Sequence, residues 1–199
     1  ARGWALRLRP ALGDGPPGSP AGVVACLSSH VAAGMYEETL ALLAARPVDV
    51  WPERQFGVLA LAARGEVDAA LVYARASNPL GHQHGREIAR VCERVLLAAG
   101  RREEAYRLHA FTAHARQNCL QSFKALAREY PEVPPSQLLA DLLVDSAGHE
   151  GRWFATACAL RFHALAVEIA ERSPCDPRTL CRHGRARLFF KSPLTLFIC

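Results

Sequence analysis

One glycine-centred pattern recurs along the chain and constrains its fold more than anything else in it. Ala33-Gly34-Met35-Tyr36-Glu37-Glu38-Thr39-Leu40 is one copy, Arg64-Gly65-Glu66-Val67-Asp68-Ala69-Ala70-Leu71 a second, and Ala99-Gly100-Arg101-Arg102-Glu103-Glu104-Ala105-Tyr106 a third. In each, the glycine ends one helical pattern and acidic residues open the next. A small residue (Thr39, Ala70, Ala105) stands five places after the glycine, and a larger, mainly apolar one six after. This is the turn of a helical hairpin. Gly34 and Gly65 are 31 residues apart and Gly65 and Gly100 are 35 apart, a period at which self-similarity means stacked helix pairs. The expected fold is all-α, a right-handed array of antiparallel helical hairpins, an α-solenoid.

Composition agrees with helix. Alanine and leucine dominate, β-branched residues are sparse, and half of the 199 residues are hydrophobic, enough for a continuous core. The formal charge of +5 is concentrated at one end: Arg178, Arg182, Arg185, Arg187 and Lys191 follow the last acid, Asp176, and the rest of the chain is balanced. The seven cysteines are too scattered for a disulfide framework, so a reducing, cytoplasmic setting is expected. No run reaches the roughly 18 to 20 apolar residues that a spanning helix needs. Arginines interrupt the first nine residues, which argues against a signal peptide.

Taken in order, residues 1–20 end in a Pro/Gly-rich stretch that reads as a linker, residues 21–180 as the repeat domain, and 181–199 as a basic, then hydrophobic, terminal segment. Trp51-Pro52 restarts the chain after Pro47, with proline suited to a first helical turn. Phe56, Leu59 and Ala63 are expected on one face. Val67, Ala70, Leu71 and Ala74 follow helical spacing, as do Ile88, Val91, Cys92 and Val95. Beyond Tyr106 the pattern loosens, and the helix is expected to kink or to break near Asn118. Leu120, Phe123, Ala127 and Tyr130 recover a face, and Leu138, Leu139, Leu142 and Leu143 form another. In the next hairpin Arg161 occupies the glycine slot, 61 residues beyond Gly100, so a strained or shifted turn is expected there. Asp176-Pro177 is a strong helix start.

The glycine-acid-acid-small turns resemble tetratricopeptide-like helical-repeat proteins, with an incomplete tryptophan, tyrosine and proline signature. The last two-fifths, from Phe123-Lys124-Ala125-Leu126-Ala127 through Tyr130-Pro131, Glu150-Gly151-Arg152-Trp153-Phe154-Ala155 and Ser173-Pro174-Cys175-Asp176-Pro177, is similar to a group of bacterial helical-repeat proteins without an assigned activity. Arg161-Phe162-His163 and the end from Cys181 to Cys199 depart from that group. Its members run longer, which implies that the chain is a fragment of a longer repeat protein. No functional residue carries over from the resemblance.

In such an array the concave surface holds a protein or peptide partner, and a non-catalytic binding scaffold is the expected function. Arg86, Arg90, Arg94, Arg101 and Arg107 are the candidate partner-binding residues, the first three spaced four apart on one side of a helix. The bland alternative is a solvated flank paired with Glu87, Glu93 and Glu103. A second class is a nucleic-acid-associated protein using this row and the tail residues Arg178, Arg182, Arg185, Arg187 and Lys191. A third is a metal-dependent enzyme built on His82 and His84, or on Cys175, Cys181 and His183 with His84 or Cys199 as a fourth ligand; neither spacing matches a common zinc module. His109, His114 and Cys119 step by five along a presumed helix and spiral around it. The acids Glu37, Glu38, Asp68, Glu103 and Glu104 are read as helix-start charges. No phosphate-binding glycine loop, nucleophile elbow or dinucleotide fingerprint is present, and no cofactor or membrane partner is expected.

Overall fold

The recurrent turns share one backbone geometry, set by how a helix can stop. In a computed structural model, which describes residues 20–46, 50–77, 84–173 and 178, Gly34, Gly65 and Gly100 lie at φ +74°, +83° and +76°. At Gly34 the amide of Met35 donates to the His30 carbonyl and that of Gly34 to Val31. The same pair of bonds recurs around Gly65 (to Leu61 and Ala62) and Gly100 (to Leu96 and Leu97). This double closure satisfies the last carbonyls of the helix and needs a left-handed residue, which glycine supplies without a Cβ clash. The next residue, Met35, Glu66 or Arg101, starts the following helix, its carbonyl accepting from Thr39, Ala70 or Ala105. Each of those small residues is fully buried, so the two helices of a hairpin can approach closely just past the bend.

A fourth copy of this turn lies at Arg161, with φ +64°. Phe162 N–H donates to Ala157, Arg161 N–H to Cys158, and the Phe162 carbonyl accepts from the fully buried Ala166. Of the strained or shifted turn expected at Arg161, the bend is unshifted, with the same hydrogen bonds as the others, but it is made by a residue whose Cβ strains the left-handed backbone.

The described residues are helical, with no strand among them. They divide into two compact units, residues 1–113 and 114–199. The boundary falls inside the stretch read from sequence as one repeat domain, where helical periodicity loosens.

The first unit contains α1 (Pro20–Ala32), α2 (Tyr36–Ala44), α3 (Trp51–Ala63), α4 (Val67–Ala76) and α5 (Gly85–Ala98). A final helix follows in three pieces: α6 (Arg102–Ala105), a π-helical stretch (Tyr106–Ala110) and α7 (Phe111–Ala113). Consecutive helices pack as pairs, and each pair also touches the next, α3 meeting both α1 and α2, and α5 meeting both α3 and α4. Val23, Leu27 and Leu43 form one cluster, while Trp51, Val58, Leu71, Val91, Val95 and Leu96 belong to a larger one.

Helix α3 corrects the sequence reading. Its buried residues are Trp51, Glu53, Gly57, Val58 and Ala60, while Phe56 and Leu59 are half-buried and Ala63 is exposed. The helix is covered on two sides: Phe56 packs on the first cluster and Leu59 on the second. The buried arc therefore lies between them. The stripes of α4 and α5 stand as expected, with Val67 half-buried and the rest buried. Glu53 is buried against Arg46, whose Nε donates at 2.6 Å. This joins the end of α2 to the start of α3.

The loosened pattern after Tyr106 has a physical cause. Ala105 and Ala110 are both fully buried, yet residues five apart sit about 140° apart on a regular α-helix. Widening the turn to a π-helix brings both inward. The helix then stops at Ala113.

In the second unit Asn118 caps α8 (Cys119–Glu129) by accepting from the Gln121 amide. Phe123, Leu126 and Tyr130 are buried, with Leu120 and Ala127 half-buried. Helix α9 (Pro135–Asp145) buries Leu138, Leu139 and Leu142, leaving Leu143 half-buried. After Gly148, a short 3-10 helix (Glu150–Trp153) leads into α10 (Phe154–Ala159), the Arg161 bend and α11 (His163–Arg172). Buried Trp153 donates its Nε1–H to Ser146 Oγ at 2.8 Å. Glu150 accepts from the Ser173 hydroxyl and the Gly148 amide. These two bonds, the hydroxyl first, hold its carboxyl at about 2, well below the usual carboxylate range. The helix start expected at Asp176 lies outside the described residues.

Candidate functional site

The arginine row resolves into residues with different tasks. Helix α5 buries Ile88, Val91, Cys92, Val95 and Leu96, and helical spacing places Arg86, Arg90 and Arg94 on its flank. Arg86 and Arg94 are exposed, but Arg90 is half-buried and donates its Nε–H to the Ala113 carbonyl at 3.0 Å. Arg90 therefore closes the end of α7, satisfying one of the carbonyls a helix leaves open. Of the acids in the solvated-flank alternative, Glu93 is only 4% exposed, while Glu87 and Glu103 are exposed.

Arg101 stands apart from the row. Its guanidinium bridges Asp68 at 2.6 Å and Glu104 at 2.7 Å, and those hydrogen bonds push its pKa up from an already high value. Asp68 stands three places after Gly65, so Arg101 ties one bend to the next. Arg64 does the same one step earlier, pairing with Glu37 and Glu66. Three of the acids read as helix-start charges, Glu37, Asp68 and Glu104, are thus also ion-pair partners, and no side chain caps α2, α4 or α6. Arg107 is exposed on the π-helical stretch.

Arg90 and Arg94 border a groove of about 280 Å³ between α3 and α5, with Trp51, Gln55, Glu87 and Val91 in its walls. His84 also lines it and sits at φ +58°, a conformation uncommon for a residue with a Cβ. The groove combines an apolar floor, two cations and one carboxylate. It suits an extended segment with both apolar and acidic side chains. Sequence reasoning found its arginines through their spacing of four but missed Trp51, Gln55 and His84, which reach it from a different helix or from the loop before α5.

The other candidate sites are mostly beyond what the structure describes. His82, Cys175, Cys181, His183 and Cys199 lie outside the described residues, as do Arg182, Arg185, Arg187 and Lys191; Arg178 is exposed. Among the described residues, no three metal-ligating side chains converge. His109, His114 and Cys119 do not share a helix, since His109 is on the π-helical stretch, His114 follows α7 and Cys119 begins α8. Cys26 and Cys92 are buried, and burial raises both thiols, Cys92 to about 11. No described helix is long and apolar enough to cross a membrane.

The helical pairs and the groove define an all-α arrangement with a cleft between α3 and α5. No family model, curated protein or solved structure matches the chain.

Proposed function

We propose that the chain is a non-catalytic scaffold, an α-solenoid-like right-handed array of helical hairpins that holds a protein or peptide segment in the groove between α3 and α5. The observation that carries this reading is the groove itself: exposed Arg94 beside Arg90, over an apolar floor containing Trp51 and Val91. Two features support the array. Successive hairpins touch, and the arginines at two bends reach back to the acid three places after the preceding glycine. The style of the turns, similar to that of tetratricopeptide-like repeats, agrees with a partner-binding surface.

The test is a peptide array of acidic-apolar sequences, with hits measured in solution by fluorescence polarisation. Arg94→Glu is expected to weaken binding at least about tenfold, as loss of a charge-assisted contact plus new repulsion requires. A basic-for-acidic swap in the peptide is expected to recover part of it. Leu71→Asp serves as the disrupted-fold control. If no bound peptide is sensitive to Arg94→Glu, the groove is not the site. Retention on heparin that weakens steeply with salt and vanishes when residues 178–199 are removed would favour the polyanion reading instead.

A further inference from the structure

The groove between α3 and α5 carries opposite charges along its α5 wall, and their order narrows the segment it can hold. That wall is one ridge: His84, Glu87, then Arg90 and Val91, then Arg94, spaced as successive turns of a helix are. Glu87 and Arg94 are seven residues apart, two turns of the helix. Their backbones are therefore separated by about 10 Å along it. Trp51, Pro52 and Gln55, from the first turn of α3, form the facing wall.

Neither end charge is used inside the protein. Glu87 and Arg94 are both exposed, and neither makes an ion pair among the described residues. Four residues after Glu87, where helical spacing would place a cationic partner, stands Val91. Three residues after it stands Arg90, whose Nε–H goes to the Ala113 carbonyl. The α3 wall adds no charge, since Gln55 is neutral and donates to the Pro52 carbonyl. The groove thus presents an unmatched carboxylate towards the start of α5 and an unmatched guanidinium two turns later.

We infer that the groove selects a zwitterionic extended segment, with an acidic side chain at Arg94, a basic one at Glu87 and small apolar residues between them against Trp51, Pro52 and Val91. This rests on the peptide-binding reading above and narrows it. The groove's 280 Å³ equals the liquid volume of only about nine waters. A helix, about 10 Å or more across with its side chains, does not enter such a space. An extended chain covers about 10 Å in roughly three residues, which sets the spacing of its two charges. A segment with acids at both positions would set one of them against Glu87, and one with bases at both would meet Arg90 and Arg94. Because the two charges are exposed, they discriminate between segments more than they add to the strength of binding.

The experiment uses the full chain and capped, fluorescein-labelled peptides with the cores Glu-x-x-Lys, Lys-x-x-Glu, Glu-x-x-Glu and Gln-x-x-Gln, where x is alanine, valine or leucine. Both zwitterionic orders are included because the chain may run either way along the groove. Fluorescence polarisation is read at about pH 8, where an ordinary imidazole is neutral. The better zwitterionic order is expected to bind about threefold or more tighter than the Glu-x-x-Glu and Gln-x-x-Gln peptides. Glu87→Lys should reverse the ranking, weakening the zwitterionic peptide and strengthening Glu-x-x-Glu by about threefold or more each. Glu87→Gln should abolish the preference over Glu-x-x-Glu without reversing it, and decides alone if Glu87→Lys does not fold. Glu-x-x-Glu peptides that bind the parent chain as tightly as the zwitterionic ones, or a ranking that survives both Glu87 variants, would overturn this inference. If Arg94→Glu still weakened binding, the peptide groove itself would stand. Binding insensitive to Arg94→Glu, or no binding by any of the peptides, would overturn both.

Discussion

Replacing Arg161 by glycine should make the second unit more stable, although it removes a whole side chain. Arg161 sits at φ +64° in the hydrogen-bonded bend that Gly34, Gly65 and Gly100 make elsewhere. A residue with a Cβ in the left-handed region carries a cost of about 1–2 kcal/mol. Glycine removes that cost but gains unfolded-chain entropy, an opposing effect of about 0.4–1 kcal/mol. The arginine side chain is exposed, so little packing is lost with it. The net expectation is a stabilisation of about 0.5–1 kcal/mol, or a rise in melting midpoint of roughly 2–6 °C for a cooperative unit of this size. Thermal melts followed by circular dichroism and by the fluorescence of buried Trp153 give the readout. Arg161→Ala keeps the Cβ and should leave the midpoint nearly unchanged, while Gly100→Ala should lower stability by about 1 kcal/mol. An Arg161→Gly midpoint at or below that of the parent chain would refute the claim that the turn holds backbone strain.

Other expectations rest on single contacts. Ser146→Ala should destabilise by about 1–3 kcal/mol in urea melts, because it leaves the buried Trp153 N–H without its acceptor. His30→Leu should be neutral or stabilising by up to about 1 kcal/mol, since His30 is fully buried and, although its Nδ1–H donates to the Cys26 carbonyl at 2.9 Å, its Nε2 has no partner among the described residues; a marked loss of stability would show that the Nδ1 bond outweighs the unmatched Nε2. For Glu150, the folded-state pKa of about 2 lies below the ordinary 4.5. The unfolded chain therefore binds more protons in that interval, so the contribution is complete above about pH 4.5 and lost as pH falls through about 2. Glu150→Gln should flatten the acid limb of a stability-against-pH curve in that window, and an unchanged slope would count against the Ser173 and Gly148 contacts.

How much was legible in the sequence depends on the range of the interaction involved. The hairpin bends were, because a Schellman-type stop, a glycine at positive φ and a small residue five places on are all local requirements, fulfilled within ten residues. Even the exception at Arg161 could be located by counting repeat lengths. The stripes of α4 and α5 were legible for the same reason. The burial of α3 was not, because a helix covered by two neighbours has no single apolar face, and only packing decides where its buried arc is centred. The π-helical stretch was visible only as lost periodicity; what widens the turn is the need to bury both Ala105 and Ala110.

The sites divide along the same line. A spacing of four put Arg86, Arg90 and Arg94 on one flank, which is a property of the helix alone. That Arg90 is engaged by the Ala113 carbonyl, that Arg101 ties two bends together, and that Trp51 and His84 join Arg94 at one groove are matters of which helices become neighbours. The sequence by itself determined where helices stop and turn, since those decisions are made by backbone hydrogen bonds a few residues apart. Tertiary structure alone decided which side chains meet, because contacts between residues tens of positions apart depend on the packing of whole helices and leave no local periodic trace.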